Sequence, residues 1–312
     1  MTLTIGLIRN RASTRNLRGA AVPAAGGGVI LRETGSLDEL SGALADLRAA
    51  GVGLLILDGG DGTVREVVTR LPAIWREAPP RLAILAHGNT NLIARKTGAV
   101  RGAEGLARLV AAAHAGWLTE CRLPVLHIAR EGAPALGGFI AGWGVYETGS
   151  RLAAQEIAAR GGGQVALAVA ATLRRALFGR EAAAIREGIA ARLSVDGAAL
   201  PMGPRLAGLV TTLPGALVMG LRPFWGVGAA PLRWLDVAAP GRRLALAAPF
   251  VLAGRPLGWM AEAGYRSGRA VALDLELGSG VRFVLDGEAF DPGPAGRLRL
   301  TAGLEASFVT PG

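Results

Sequence analysis

Two short stretches of the sequence combine carboxylates and glycines in a way that suits phosphate chemistry. The first, LLILDGGDGTVREV, begins at Leu54 and places Asp61 between glycines directly after a short apolar run. Glycines let a backbone turn sharply and let a ligand approach it closely. The second, VRFVLDGEAF, holds Asp286 and Glu288 one residue apart. Carboxylates accept protons or bind metal ions, so both stretches are candidate catalytic elements.

Strand and helix signals alternate around the first stretch. Apolar strands are predicted at LTIGLIR, LLIL and LAILAHG, and helices at SLDELSGALADLRAAG, TVREVVTRL and TNLIARKTG. Ser36 and Glu39 have capping-box spacing, and Gly51 is a typical helix end. This alternation predicts a parallel, doubly wound sheet, in which ligands bind at the carboxyl ends of the strands, near helix N-termini.

The glycine turn around Asp61 falls at such an edge. The amides of Gly59, Gly60 and Gly62 would face an anion, assisted by the dipole of a helix that begins at Thr63. The alternative is a plain tight turn in which Thr63 and Glu66 form a capping box.

The character of the sequence changes after about residue 120. A glycine-rich segment, GGFIAGWGVYETG, is predicted to be a loop, followed by an alanine-rich helical stretch. From about residue 190, short strands are predicted at ARLSVDGAAL, LAGLVTTL, RLALAAPF, AVALDLEL, VRFVLDGEAF and RLRLTAGLEASFVTP. This pattern indicates an antiparallel β-rich domain.

We therefore expect an α/β plus β chain with two lobes. Residues 1–120 are expected to form a nucleotide-binding α/β domain and residues 121–312 a β-rich substrate domain. Whether the last residues return to the first lobe is left open. The active site is expected in the cleft between the lobes.

Composition narrows the choice of partners. Basic residues outnumber acidic ones 34 to 24, a net charge of +10 that favours nucleotides, phosphates or anionic membrane surfaces. Nucleic acid is not expected, because no helix-turn-helix, zinc finger or aromatic-studded basic stripe appears. Cys121 is the only cysteine and the three histidines lack metal-ligand spacing, so no disulfide framework and no cysteine metal cluster is predicted. Neither a signal peptide nor a spanning helix is predicted.

The stretch GGDGT, followed two residues later by Glu66, resembles the nucleotide-binding signature of the diacylglycerol kinase catalytic-domain family. That family includes bacterial diacylglycerol kinase-like lipid kinases, sphingosine kinases and ceramide kinases, and is related to NAD kinases and phosphofructokinases. IRNRAS resembles the family's Asn-Pro-x-Ser-Gly phosphate loop at Asn10 and Ser13, although Arg11 replaces the proline. Thr34 falls where the family has a nucleotide-contacting threonine.

AHGNTNLIAR resembles the family's Pro-x-Gly-Thr-x-Asn-Asp-x-x-Arg stretch. Gly88, Asn91 and Arg95 match, while Asn89 stands for the threonine and Leu92 for the aspartate. Sphingosine-kinase-like members also lack that aspartate, so this departure favours a sphingoid or ceramide-type substrate.

APLRWLDV resembles a segment that holds a structural Mg²⁺ in many bacterial members. It keeps Asp236 but has Leu232 in place of the first acid, so we expect no auxiliary metal there.

The resemblance implies an ATP- and Mg²⁺-dependent transfer of a phosphoryl group to a lipid hydroxyl. Glu288 is the expected base, with Asp286 orienting it or holding Mg²⁺ together with it. Asp61 would orient or hold Mg²⁺ from the other lobe, and competes for the role of base. The implied nucleotide contacts are Asn10, Ser13, Thr34, Gly59, Gly60, Asp61, Gly62, Thr63, Glu66, Gly88, Asn89 and Asn91.

Motifs of other nucleotide-binding classes are missing. The sequence has no G-x-x-x-x-G-K-[ST] and no G-x-G-x-x-G in its first strand–helix turn, which argues against a P-loop kinase and a dinucleotide-dependent dehydrogenase.

Two segments are candidates for contact with an anionic bilayer. Residues 174–188 mix basic and apolar side chains, and Phe224 with Trp225 stands beside Arg222. The alternative is that both are ordinary core edges with solvated arginines. We expect a cytoplasmic enzyme that binds peripherally to the inner face of the membrane. Whether it forms a homodimer is left open.

Two other functions stay open at this point. One is a soluble-metabolite kinase of the NAD kinase type, and the other is a catalytically inactive module that binds a nucleotide or lipid.

Overall fold

A computed structural model describes residues 3–11, 13, 28–76, 78–86, 92–151, 171, 174, 182–217 and 220–312. The chain forms two compact units, Met1–Leu123 together with Leu304–Gly312, and Pro124–Gly303. None of the helices in this described part has the length and apolar content needed to cross a bilayer.

The first unit is built on a parallel sheet. Its elements are β1 (Ile5–Asn10), β2 (Val29–Thr34), α1 (Leu37–Ala49), β3 (Leu54–Gly59), α2 (Asp61–Trp75), β4 (Arg81–Ala86), α3 (Leu92–Thr97), α4 (Gly102–Ala115) and the start of β5 (Leu118–Arg130). The strands lie in the order β2-β1-β3-β4, each parallel to its neighbours. The predicted parallel sheet is therefore confirmed.

Helices cover both faces of this sheet. Ile5 and Leu7 of β1 share a buried cluster with Leu109 of α4. Gly6, between them, points to the opposite face, where a Cβ would lie 3.0 Å from a Leu47 methyl of α1. Because alternate residues of a strand face opposite sides, the sheet is doubly wound, as predicted.

Helix α1 begins and ends where the sequence predicts. The Glu39 amide donates to Ser36 Oγ at 3.2 Å, which caps the N-terminus. Gly51, two residues after the helix, has the left-handed φ of 71° that favours glycine.

The second unit contains two antiparallel sheets. Its further elements are β6 (Ala133–Gly138), β7 (Ile140–Gly144), α5 (Ala182–Glu187), β8 (Ala191–Val195), β9 (Ala198–Ala199), β10 (Arg205–Thr211), β11 (Leu232–Ala238), α6 (Leu244–Ala253), β12 (Tyr265–Ala270), β13 (Ala272–Leu277), β14 (Phe283–Leu285), β15 (Glu288–Phe290) and β16 (Arg297–Pro311). Strands β16-β13-β8-β9 are the antiparallel part of a ten-stranded sheet, in which the last residues of β16 belong to the first unit, and the other sheet has the order β12-β11-β10-β7-β14-β15. A single buried cluster includes Leu193, Leu275 and Leu298 of the first sheet with Trp143 and Phe283 of the second. The predicted antiparallel β-rich character is confirmed.

Two local predictions in this unit are wrong. The segment GGFIAGWG is not a loop but contributes β6 and β7. At Gly142 in β7, an added Cβ would lie 2.7 Å from the carbonyl oxygen of Gly208, so the glycine reflects close strand packing rather than a turn. RLALAAPF is not a strand, because it starts helix α6, whose leucines and alanines favour helix and whose end is capped by Gly254 at φ 65°.

A buried ion pair joins two strands of the second sheet. Arg205 Nη1 of β10 lies 3.3 Å from Asp236 Oδ2 of β11, and both side chains are almost fully buried. Burial raises the pKa of Asp236 to about 6, although the charges of Arg205 and Arg266 oppose that rise. The acid retained in the Leu-Asp-Val segment thus faces an arginine.

This raised pKa predicts how stability depends on pH. Between about pH 4 and about pH 6 the folded protein keeps a proton on Asp236 that the unfolded chain releases near 3.8. The contribution of Asp236 to the free energy of unfolding therefore falls as pH rises through that window. We expect the difference in unfolding free energy between wild type and Asp236→Asn to fall with pH up to about 6 and then stay constant, as measured by urea denaturation. Asp274→Asn, at a more exposed position on β13, is the control, and parallel wild-type and Asp236→Asn profiles would contradict the assignment.

Candidate active site

The carboxyl ends of β1 and β2 bring together three residues predicted to contact a nucleotide. Asn10 and Thr34 are register partners at the last positions of the two strands, and Thr34 is buried. The Ser13 amide donates to the Asn10 carbonyl at 3.1 Å. Asn10 Nδ2 donates to Thr63 Oγ1 at 2.9 Å, which joins β1 to the start of α2. Sequence-distant motif residues therefore meet at one sheet edge.

The glycine turn is tighter than predicted. Strand β3 ends at Gly59 and α2 begins at Asp61, two residues before the predicted start, with Gly60 as an N-cap that has no side-chain hydrogen bond. The alternative of a capping box does not apply, because Thr63 and Glu66 both lie inside the helix. A Cβ on Gly59 would lie 2.2 Å from Thr63 Oγ1, so this glycine is required by the packing of Thr63. A helix N-terminus without a side-chain cap suits an anion.

Glu66 is held by two arginines. Its Oε1 accepts from Arg65 Nη2 at 2.6 Å and its Oε2 from Arg70 Nη1 at 2.5 Å. Burial alone would raise the pKa of Glu66, but the hydrogen bonds and charges of both arginines outweigh it and keep the pKa below its ordinary value. The carboxylate thus stays ionised; its contact with a nucleotide stays a prediction.

Asp61 binds the start of helix α3. Its Oδ2 accepts from the Leu92 amide at 2.9 Å and its Oδ1 from the Ile93 amide at 3.2 Å. Burial raises the pKa of Asp61, while the two amides and the charge of Arg95 oppose the rise. Because first-turn amides have no acceptor within their own helix, Asp61 supplies the acceptor for both. The predicted contacts Gly88, Asn89 and Asn91 lie outside the described residues.

Asp286 occupies the tip of a two-residue β-hairpin. Strands β14 and β15 are joined by Asp286 and Gly287, whose φ angles of 49° and 90° fit a type I′ turn. The Asp286 carboxylate accepts from the Phe139 amide at 3.1 Å and from the Ile140 amide at 2.9 Å. Glu288 follows as the first residue of β15 and is exposed. The turn therefore separates the two carboxylates, which do not share one strand face.

A second Asp-Gly hairpin in the same unit has the same construction. Asp196 and Gly197, with φ angles of 48° and 83°, join β8 to β9. Asp196 Oδ1 accepts from the Val271 amide at 2.9 Å and from the Ala272 amide at 2.8 Å. In both hairpins the backbone amide of the aspartate also donates to a carbonyl of the same segment. Asp196 donates to the Ala272 carbonyl at 3.0 Å, and Asp286 donates to the Ile140 carbonyl at 2.9 Å. The chemical difference lies in the next position, which is alanine in one hairpin and Glu288 in the other.

Residues that the sequence did not single out support the Asp286 hairpin. A Cβ on Gly138 would lie 2.6 Å from Asp286 Oδ2, so only glycine leaves room for the carboxylate. Thr211 Oγ1 donates to the Phe139 carbonyl at 2.7 Å. Burial raises the pKa of Tyr146, and the charge of Asp286 raises it further, so this phenol stays protonated. The one sequence signal for these residues around Asp286 was the density of glycines in GGFIAGWG.

The carboxylates do not form a cage for a metal ion. In the part of the chain that the structure describes, no three His, Cys, Asp or Glu side chains are grouped for metal binding. A Mg²⁺ carried by nucleotide phosphates needs only one or two protein carboxylates. Glu288 is exposed and Asp286 is partly buried, so Glu288 is the more accessible of the two carboxylates.

The structure describes one of the two segments that are candidates for bilayer contact, and only part of the other. Phe224 is buried beneath the guanidinium of Arg233, 4.7 Å from its ring centroid, so it is not an interfacial anchor. Most of residues 174–188 lie outside the described residues, apart from position 174 and the segment from α5 onward.

Residues 14–118 match the model of the diacylglycerol kinase catalytic domain. The predicted resemblance to this family is confirmed. A diacylglycerol kinase catalytic domain implies a kinase that uses ATP. No curated protein matches the chain significantly.

Solved structures extend the likeness in fold over the whole chain. A diacylglycerol kinase from Bacillus anthracis strain Sterne has 15% identity and a TM-score of 0.59. Two further structures from the same strain, provisionally assigned as diacylglycerol kinases, have 17% and 18% identity with TM-scores of 0.65 and 0.62. Each likeness covers 99% of this chain and 97% of the other. At such identities they establish the diacylglycerol kinase-like fold alone.

The two Asp-Gly hairpins predict a graded loss of stability. Asp286→Ala should destabilise the protein by about 1–3 kcal/mol, because two amides lose their acceptor in a partly buried place. Asp196→Ala should cost less, since Asp196 is exposed and water can replace it. Asn at either position keeps an acceptor oxygen and tolerates positive φ, so Asp286→Asn should restore most of the loss. Urea denaturation measures all three, and an Asp286→Ala variant as stable as wild type would contradict this role.

Proposed function

We propose that the protein is an ATP-dependent lipid kinase. It transfers the γ-phosphoryl group to a primary hydroxyl of a membrane lipid of the ceramide/sphingoid or diacylglycerol class. The observation that carries the proposal is the sheet edge at which Asn10, Thr34 and the glycine turn meet, within or beside the segment that matches the diacylglycerol kinase catalytic domain.

Nucleotide binding rests on the first turn of α2. Gly60 offers no side chain to the helix N-terminus, so the backbone there can bind phosphate oxygens. With no Walker lysine in the sequence, backbone amides and arginines would supply the positive field. Mg²⁺, when bound with ATP, would neutralise charge on the phosphates.

Phosphoryl transfer also needs a base for the attacking hydroxyl. We assign this role to Glu288, because an exposed carboxylate on a rigid hairpin is accessible to a substrate. It would accept the hydroxyl proton as the oxygen attacks the γ-phosphorus. Asp286 positions Glu288, since its carboxylate fixes the turn directly before it. Asp61 competes for the role, because burial raises its pKa toward the range of an effective base.

The substrate class is inferred from the sequence rather than from a pocket. Leu92 stands where most family members have an aspartate, a departure shared with sphingosine-kinase-like members. In this structure Leu92 begins α3, and its amide donates to Asp61, so the missing acid leaves the Asp61 contact intact. The diacylglycerol class remains an equal outcome of the test below.

The test measures transfer from labelled ATP with Mg²⁺. Diacylglycerol, ceramide, sphingosine and monoacylglycerol are presented in separate mixed micelles, with NAD as a soluble acceptor. We expect one lipid to be phosphorylated. Glu288→Gln should lower kcat by about 10²–10⁴-fold with unchanged stability, because removal of a base acts on chemistry.

The controls separate the candidate bases. Glu131→Gln, at an exposed acid elsewhere in the second unit, should keep full activity. A loss of kcat of about 10²–10⁴-fold in Asp61→Asn, with Glu288→Gln fully active, would transfer the role of base to Asp61. Phosphorylation of NAD alone would indicate a soluble-metabolite kinase, and ATP binding without any transfer would indicate an inactive module.

A further inference from the structure

Helix α6 exposes an unusual surface. Its ten residues, LALAAPFVLA, include no polar side chain. Ala247, Ala248 and Val251 lie on the buried side of the helix. The outward side is also apolar, and Leu246 on that side is 51% exposed. Surface helices normally carry polar residues on the side that faces water. We call the exposed residues of this helix, Ala245, Leu246, Pro249 and Ala253, the α6 face.

Arginines flank the α6 face at both ends. Arg242 and Arg243 precede the helix and Arg255 follows it, and all three are exposed. No acidic residue occurs between Asp236 and Glu262. The charged residues next to α6 along the chain are thus all arginines.

The α6 face is held in place by contacts at both ends of the helix. Before the helix, Tyr265 Oη donates to the Arg242 carbonyl at 2.9 Å. After it, the Arg222 amide donates to the Leu252 carbonyl at 2.9 Å, and a Cβ on Gly254 would lie 2.2 Å from the Arg222 carbonyl oxygen. Arg222 is itself exposed, which adds a fourth arginine near the end of the helix. These contacts fix the backbone at both ends of the helix, and with it the positions from which the arginine side chains extend.

We propose that the α6 face docks the protein on an anionic lipid surface. The apolar side chains would enter the boundary between headgroups and acyl chains, while the flanking arginines contact lipid phosphates. The proposal rests on the proposed function, because a lipid kinase must reach a substrate held in a bilayer. A second copy of this chain fits the face poorly, since two such faces would bring arginines of like charge together.

Vesicle sedimentation tests the proposal. Wild-type protein without ATP should bind vesicles of phosphatidylglycerol and phosphatidylcholine, and bind pure phosphatidylcholine much more weakly, with a salt-sensitive affinity. Leu246→Asp should abolish detectable binding by placing a charge in the centre of the face. Arg242→Gln with Arg255→Gln should weaken it, by about fivefold for each arginine removed.

Matched controls use exposed positions elsewhere in the same unit. Met202→Asp puts the same charge at a residue that is 76% exposed. Arg192→Gln with Arg297→Gln removes the same net charge from exposed sites on β8 and β16. Both controls should bind like wild type, and equal losses in control and test variants would overturn the proposal.

Two further results would also overturn it. The first is equal binding to anionic and neutral vesicles. The second is a Leu246→Asp variant that changes the solution mass by light scattering while vesicle binding is retained, which would assign the α6 face to a second copy.

The vesicles contain neither diacylglycerol nor ceramide, and phosphorylation of a short-chain lipid in micelles is measured in parallel. Wild-type protein that phosphorylates the short-chain lipid yet does not bind anionic vesicles would contradict the α6 proposal alone. Retained docking with no phosphorylation would contradict the kinase proposal alone.

Discussion

Both candidate catalytic elements depend on the same type of interaction, in which an aspartate carboxylate accepts hydrogen bonds from two consecutive backbone amides. Asp61 binds the amides of Leu92 and Ile93, and Asp286 binds those of Phe139 and Ile140. Amides at the start of a helix or strand need such an acceptor, because a buried unsatisfied amide costs about 1–3 kcal/mol. In each unit, the carboxylate therefore fixes the backbone beside a stretch that resembles a motif of the diacylglycerol kinase family.

This interaction gives the aspartates a structural role that Glu288 does not share. The hairpin at Asp196 has the turn, the paired amides and the returning backbone bond of the hairpin at Asp286, yet it has alanine where the latter has Glu288. A structural role thus accounts for the contacts made by both aspartates. Glu288 is the position at which the two hairpins differ, and it is exposed, which is why the proposed role of base is given to it.

The sequence predicted what local patterns determine and missed what depends on distant partners. The parallel sheet and the cap at Ser36 follow from periodicity and short-range hydrogen bonds, and both were predicted. The partners of Asp61 and Asp286 lie 31 and about 147 residues away along the chain, so no local signal reveals them. Helix α6 was mistaken for a strand, because a short run of apolar residues has no period that separates the two.

Amide hydrogen exchange at the start of α3 measures directly whether Asp61 holds the first turn of this helix. The amides of Leu92 and Ile93 have no acceptor inside their own helix, so their protection reports on Asp61. We expect both amides to be protected in wild type and to exchange faster in Asp61→Ala, while the Glu39 amide, which donates to Ser36, is unchanged. Rapid exchange of these two amides in wild type, or equal protection in the variant, would contradict this expectation.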